Sequence, residues 1–213
     1  MEKLAIFDVD YTLTKRETLR QLFYFIIKKK PQNIIYLPRA IFSGIFFVMG
    51  IYDEKNTKES FLKFIDGLDE KDMRNLVKEF YEEKLSKILY EDGINMIRKL
   101  KKQGCKIYLI SASPEFYLNE LYAIEEVDKI IGSKFLVEEG KHRSQMHGNN
   151  CKGEEKVKRL KEELKKDNIE VDFENSYMFS DSLSDLPLLN LVGKPYLINY
   201  KKNHDSIEIL KWK

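Results

Sequence analysis

LAIFDVDYTLT, Leu4 to Thr14, is the stretch whose reading decides the fold. An unbroken apolar run (Leu4, Ala5, Ile6, Phe7) stops abruptly at Asp8, with Asp10 two positions on and hydroxyls at Thr12 and Thr14. A run of that length predicts a strand buried on both faces, as in a parallel sheet. Acids just past its end would stand at the carboxyl edge, where open α/β sheets bind ligands. Two carboxylates that close repel unless a cation or a shared proton compensates. A lone Asp after a strand more often makes a turn, so the rest of the chain must decide between turn and site.

The sheet needs partners, and the chain supplies them late. Lys106 to Ser111, Lys129 to Ile131, Ser176 to Ser180 and Tyr196 to Ile198 read as strands, the last followed by a tail bearing Ile207, Ile209, Leu210 and Trp212. Phe135 to Met146, with Glu139-Gly140 at its middle, reads as a hairpin. Helical spacing fills the intervals: a helix before Gly104, another over 114–123, a charged one over 153–166 and one over 183–192, where Pro187 is tolerated near the first turn. Alternating strands and helices over 90–200 predict an α/β fold with a doubly wound, mostly parallel, Rossmann-like sheet.

Residues 15–89 contain no convincing strand. Lys15 to Lys30 reads as an amphipathic helix stopped by Pro31; Asn56 or Thr57 is the expected cap of a helix ending near Gly67, and 68–90 is helical again. The chain therefore divides into a core of residues 1–14 and 90–213 and a helical block of 15–89 placed over the strand end that carries Asp8. Within the block, Ile34 to Ile51 is the most apolar segment. Pro38, Arg39, Ser43 and Gly44 interrupt it, and a spanning helix wants about 20 nearly uncharged residues. A buried or partly exposed helix pair is expected, with an interfacial segment as the lesser alternative.

Composition excludes several classes. The 213 residues are 34% charged but net only +2, and lysines interleaved with glutamates suit solvated helix faces rather than nucleic acid. Two cysteines, Cys105 and Cys151, argue against a disulfide scaffold and fit a reducing, cytoplasmic setting. MEKLAIFDVD places acids where a signal sequence needs an apolar core. His142, His147 and His204 share no metal-binding spacing with the cysteines and are expected on the surface or in the hairpin. Trp212 is expected to anchor the tail.

Three strands thus end in polar groups at one edge: Asp8 and Asp10; Ser111, Ala112 and Ser113; and Ser180, Asp181 and Ser182, with Ser184 and Asp185 close behind. Carboxylates from separate strands make an all-oxygen site that suits Mg²⁺. A hydroxyl, free N–H groups and a lysine suit phosphate. Together they describe phosphoryl transfer to a carboxylate.

DVDYT, ISAS, a lysine near CKGEEKV and SDSLSD resemble the four motifs of the haloacid dehalogenase superfamily of phosphohydrolases, over Asp8 to about Leu189. The inserted helices resemble that superfamily's small all-helical cap domain, and SDSLSDLPLL its phosphoserine-phosphatase-like branch, whose members include a phosphatidylglycerophosphate phosphatase. The resemblance implies a Mg²⁺-dependent phosphatase of phosphomonoesters working through an aspartyl-phosphate. Asp8 would be nucleophile and metal ligand. Asp10 would be the acid–base, lending its carbonyl to the metal, with Asp181 as a further ligand and Asp185 as second support. Ser111 and the Ala112 N–H would bind phosphate, and Thr12 would brace the opening loop among them. Glu17 stands where phosphoserine phosphatases carry a substrate-contacting glutamate. Lys156 or Lys152 would meet the phosphate; the branch pattern favours Lys156.

Departures bear on the substrate. Phosphoserine phosphatases usually carry Ser-Gly-Gly where this chain has Ser111-Ala112-Ser113, and Asn or Thr where it has Ser184. Neither Arg39 nor Lys63 clearly replaces their cap arginine. The aromatic cap residues Phe42, Phe46, Phe47 and Tyr52 point to cap core, a dimer contact or a larger, lipid-like phosphate. The expected partner is therefore a small-molecule phosphomonoester, with membrane contact the lesser alternative. The oligomeric state is not set by these motifs. Rival readings are a phosphotransferase of the same fold, a receiver-like domain and a non-catalytic phosphate- or membrane-binding protein. The receiver places its acceptor acid on a middle strand and has no helical block after the first.

Overall fold

β1 (Lys3–Phe7) lies in the middle of a seven-stranded sheet in this computed structural model, which describes residues 1–213. Its parallel neighbours are β2 (Cys105–Pro114) and β5 (Tyr177–Ser180). β3 (Val127–Glu138) adds beside β2, and β4 (Lys141–His147) returns antiparallel to it. On the other side follow β6 (Lys194–Ile198) and β7 (Glu208–Leu210), giving the order β4-β3-β2-β1-β5-β6-β7. Strand order reverses between β1 and β5, so the crevice beyond their carboxyl ends is a switch point where such sheets bind ligands.

The apolar run of β1 is buried on both faces because its alternate residues enter two cores. Ala5 and Phe7 face a core shared with α1 (Thr18–Lys29), α4 (Glu70–Glu83) and α5 (Glu91–Lys102); Leu4 and Ile6 face one shared with α7 (Glu154–Lys166) and α8 (Leu186–Leu189). Phe7 stacks on Phe179 at 4.5 Å, and Trp212 packs on both rings. The tail is anchored as its tryptophan predicts. It also carries β7, beyond the strand expected to be last; three residues at a sheet edge are too few to show a period.

Two short α-helices complete the cap, α2 (Leu37–Val48) and α3 (Glu54–Phe61), with one helical turn, α6 (Glu115–Leu118), after β2. The chain leaves and re-enters the core at one point. Lys15 N donates to Ile88 O at 2.7 Å and Tyr90 N to Leu13 O at 2.8 Å. The β3–β4 hairpin turns at Glu139-Gly140, both with positive φ (51° and 72°), as the tightest hairpins require. Its far end holds the helical block: His142 N donates to Leu68 O (2.8 Å) and Gly67 N to His142 O (2.9 Å).

Several local expectations are corrected. Asp53, not Asn56 or Thr57, caps α3; its carboxylate accepts from Asn56 N at 2.7 Å. β3 is far longer than Lys129 to Ile131 because one strand serves both the parallel sheet and the hairpin. His142 is in the hairpin, one of its two expected places, and is buried there, edge-on to Phe116. Of the two forms expected for the Ile34–Ile51 helical segment, buried or partly exposed, it takes the exposed one. Ser43 is the one buried residue of α2, while Ile41, Phe42, Ile45, Phe47 and Val48 are exposed. No helix is long and apolar enough to cross a membrane.

Candidate active site

Asp8 is fixed by the strand it ends. Its N–H donates to Phe179 O at 2.9 Å, extending the β1–β5 ladder by one bond. The chain then turns on the Val9 carbonyl, which accepts from the N–H groups of Thr12, Leu13 and Thr14 at 3.2, 2.9 and 3.0 Å. Tyr11 takes a left-handed φ of 59° to make this turn, an uncommon conformation for a non-glycine residue. The Thr12 hydroxyl donates to Asp8 Oδ2 at 3.4 Å and accepts from Asp181 N at 2.8 Å. Thr12 is fully buried and ties two strand ends together, so its place is the brace rather than a phosphate contact.

Lys156 rises from the first turn of α7 into this crevice. Its ammonium is 2.7 Å from Asp8 Oδ1 and 2.7 Å from Asp185 Oδ2, and the side chain is 2% exposed. The two carboxylates hold the lysine protonated by raising its pKa against the effect of burial. Lys152 does not join this pair but lines the neighbouring cleft that holds Asp10 and Ala112. Its side chain is 42% exposed and pairs with Glu54 of α3. The two lysines are four positions apart, but Lys156 lies on the inner face of the helix and Lys152 precedes it.

The two acids of the opening loop have different surroundings. Burial, with Asp185 and Asp10 nearby, pushes Asp8 up to about 7 despite Lys156. Asp10 has both oxygens held by neutral donors: Thr18 N, in the first turn of α1, and Ser113 Oγ, each at 2.6 Å. Thr18 Oγ1 lies 2.9 Å from Tyr117 Oη and 3.3 Å from Ser113 Oγ, so a buried hydroxyl network fixes the acid. The Asp10 carboxylate is thus fully engaged, and the metal contact expected of this residue is through its backbone carbonyl.

No three acid, histidine or cysteine side chains converge as a closed metal set. Asp185 Oδ2 accepts from the Lys156 ammonium at 2.7 Å and from the Ser180 hydroxyl at 2.9 Å. Yet its Oδ1 is buried with no partner. Burial and the neighbouring acids also push Asp181 up to about 6. Crowded carboxylates raised toward neutrality and an orphaned buried oxygen fit an all-oxygen site for a hard cation. Asp8 and Asp181 are the side chains that would hold it.

Ser111 of β2 is buried, and its hydroxyl accepts from Ser113 N at 3.1 Å. Ala112 faces a cleft of about 310 Å³ between core and cap, lined also by Asp10, Glu17, Phe47, Glu54 and Lys58. Glu17 precedes α1 and pairs with Arg20 Nε at 2.5 Å; burial and the charge of Asp10 raise its pKa.

Lys58 is the cation the motifs missed. It donates to Ala112 O at 2.6 Å and to Asn150 Oδ1 at 2.7 Å, and burial lowers it to about 8. One of two lysines in the charged helix EKNTKESF, it carries no spacing that would mark it. Arg39 instead donates to Ser60 O at 3.3 Å, and Lys63 pairs with Asp66, both off this cleft.

The profile of the haloacid dehalogenase-like hydrolases matches residues 5–190. A histidinol-phosphatase of Neisseria meningitidis serogroup C is 25% identical over 205 residues, covering 93% of this chain and 91% of that one. Two solved structures share the fold. A protein of unknown function from Bordetella pertussis superposes with a TM-score of 0.84 at 20% identity, covering 94% of this chain and 92% of that one. A substrate-bound phosphoserine phosphatase gives 0.64 at 16%, covering 94% and 88%.

Proposed function

The chain belongs to the haloacid dehalogenase-like hydrolase family, as a phosphoric monoester hydrolase, and we propose that Asp8 is its nucleophile and Asp10 its acid–base. The observation that carries this reading is the division of labour between two acids two residues apart. Asp8 faces a buried ammonium at 2.7 Å, whereas Asp10 is held by neutral donors at the wall of the cleft. A carboxylate placed to attack and a second placed to carry a proton are the two groups a phosphomonoesterase needs.

In the forward step an Asp8 oxygen bonds phosphorus and the bond from phosphorus to the ester oxygen breaks. Asp10 gives its proton to the departing alkoxide. Asp10 then takes a proton from water, whose oxygen attacks phosphorus; the bond to Asp8 breaks and inorganic phosphate leaves. Lys156 holds Asp8 in place and offsets negative charge that builds on the phosphoryl oxygens. Ser111 and the Ala112 N–H are the proposed phosphate donors, with Thr12 bracing Asp8 against Asp181. Mg²⁺, held by Asp8, Asp181 and the Asp10 carbonyl, would supply charge neutralisation at the phosphoryl oxygens.

Residues 15–89 are the proposed cap domain, and residues 1–14 with 90–213 the catalytic core. Glu17, Glu54 and Lys58 at the cleft would meet the organic part of the substrate. A cleft of about 310 Å³ suits a small-molecule phosphomonoester. The test is release of phosphate from an aryl phosphate with Mg²⁺, comparing wild type with Asp8→Asn and Asp10→Asn. Turnover falling at least about a thousandfold in each variant is expected; an active Asp8→Asn protein overturns the mechanism.

A further inference from the structure

The largest uncovered apolar surface of the molecule is not at the cleft but beside it, on the cap. Of the large hydrophobic side chains left exposed, most fall between Ile34 and Ile51. Ile41, Ile45 and Val48 follow one another at helical spacing along one side of α2, flanked by Phe42 and Met49, and they are 54%, 44%, 86%, 55% and 64% exposed. α2 also packs on α3, and Phe46 meets Tyr52, in the turn before α3, edge-on at 5.2 Å. An apolar face this concentrated marks a docking surface rather than scattered surface residues.

Charge selects the occupant. From Thr18 to Tyr52 the chain carries Arg20, Lys28, Lys29, Lys30 and Arg39 and no acid at all, in a protein with 35 acids among 213 residues. Lys28, Lys30 and Arg39 are exposed, whereas Lys29 pairs with Glu79 and Glu83 of α4. A second copy of this chain would bring the same cations against themselves. An anionic lipid surface brings the opposite charge, and an apolar face rimmed by lysine is what binds in the headgroup region. The helix has 12 residues, about 18 Å, so it lies in the interface rather than crossing it.

We infer that the exposed face of α2, with the basic rim from Lys28 to Arg39, docks this protein on an anionic lipid bilayer. Phe47 belongs both to α2 and to the lining of the cleft, so docking sets the mouth of the cleft at the membrane surface. The inference does not depend on the catalytic reading, since binding is measured without turnover.

The test is co-sedimentation of the whole protein with vesicles of phosphatidylcholine alone and of phosphatidylcholine and phosphatidylglycerol in equal parts. Wild type should pellet with the anionic vesicles and not with the neutral ones, and raised salt should release it. The double variant Phe42→Glu/Val48→Glu changes two exposed side chains, and Lys28→Ala/Lys30→Ala thins the rim. Each should lower the partition onto anionic vesicles about tenfold or more, with the thermal melting midpoint reporting that the fold is kept. Wild type remaining in the supernatant overturns the proposal, as does a Phe42→Glu/Val48→Glu protein that binds as wild type does. A wild type that sediments as a dimer, ignores both vesicles and becomes monomeric in that double variant assigns the face to self-association and also overturns it.

Discussion

The ammonium of Lys156 lies 2.7 Å from Asp8 Oδ1, across 148 residues of sequence. That contact joins the first strand to the helix before β5 and places a charge pair inside the core. Removing one partner of such a pair leaves the other buried and uncompensated, at a cost of about 3–5 kcal/mol. Lys156→Met should therefore lower unfolding stability in urea by that order and abolish turnover. Lys152→Met, whose exposed pair with Glu54 is worth about 0–1 kcal/mol, should unfold at nearly the wild-type urea concentration. Equal losses in the two variants would show that the buried pair has no special weight.

Much of this site is written in the sequence, and the reason is local. Asp8 and Asp181 each follow an apolar strand, so burial and position can be read from neighbours in the chain. Lys58 and the Asp10 network cannot, because Thr18, Ser113 and Tyr117 meet only after the cap folds back on β2. Choosing between Lys152 and Lys156 needs the rotation of α7 relative to the sheet, which a motif does not fix. The apolar run Ile34 to Ile51 shows another limit: periodicity marks an apolar face but not whether anything covers it.

If Asp8 and Asp181 hold a divalent cation, its binding depends on pH. Asp8 and Asp181, at about 7 and about 6, stand above the ordinary carboxyl value of 3.8. Raised acids bind more protons in the folded than in the unfolded state between 3.8 and those values. Their contribution to stability is thus present at low pH and lost as pH rises through about 6 to 7. A divalent cation that binds the carboxylates offsets this loss. The rise in melting temperature on adding Mg²⁺ should therefore be larger at about pH 8 than at about pH 5. Equal rises at both would remove Asp8 and Asp181 as the ligands.

Gly132 packs closely against the backbone of Ser113, whose hydroxyl holds Asp10. A Cβ there would stand 2.7 Å from Ser113 O and 2.9 Å from Glu115 Cγ. Backbone cannot yield as a flexible side chain can, so Gly132→Ala should shift Ser113, whose hydroxyl holds Asp10 at 2.6 Å. Overpacking costs about 1–3 kcal/mol, and a misplaced proton carrier costs about a hundredfold in rate. Paired measurements of kcat and urea stability should show both, and an unchanged kcat would separate Ser113 from the placement of Asp10.

Lys58 gives the cleft a second pH dependence, opposite in sign for binding and for stability. Burial lowers it to about 8 from 10.5, so its charge is lost as pH passes about 8. If that charge draws an anionic substrate into the cleft, kcat/KM should fall about tenfold per pH unit above it. Stability moves the other way: between about 8 and 10.5 the unfolded chain binds the extra proton, so folding is favoured as pH rises. A falling kcat/KM beside a steady or rising melting temperature therefore distinguishes lost substrate attraction from unfolding. Lys58→Met should lack the descending limb and show a kcat/KM near the high-pH level of wild type throughout. The same limb persisting in Lys58→Met would assign it to another group.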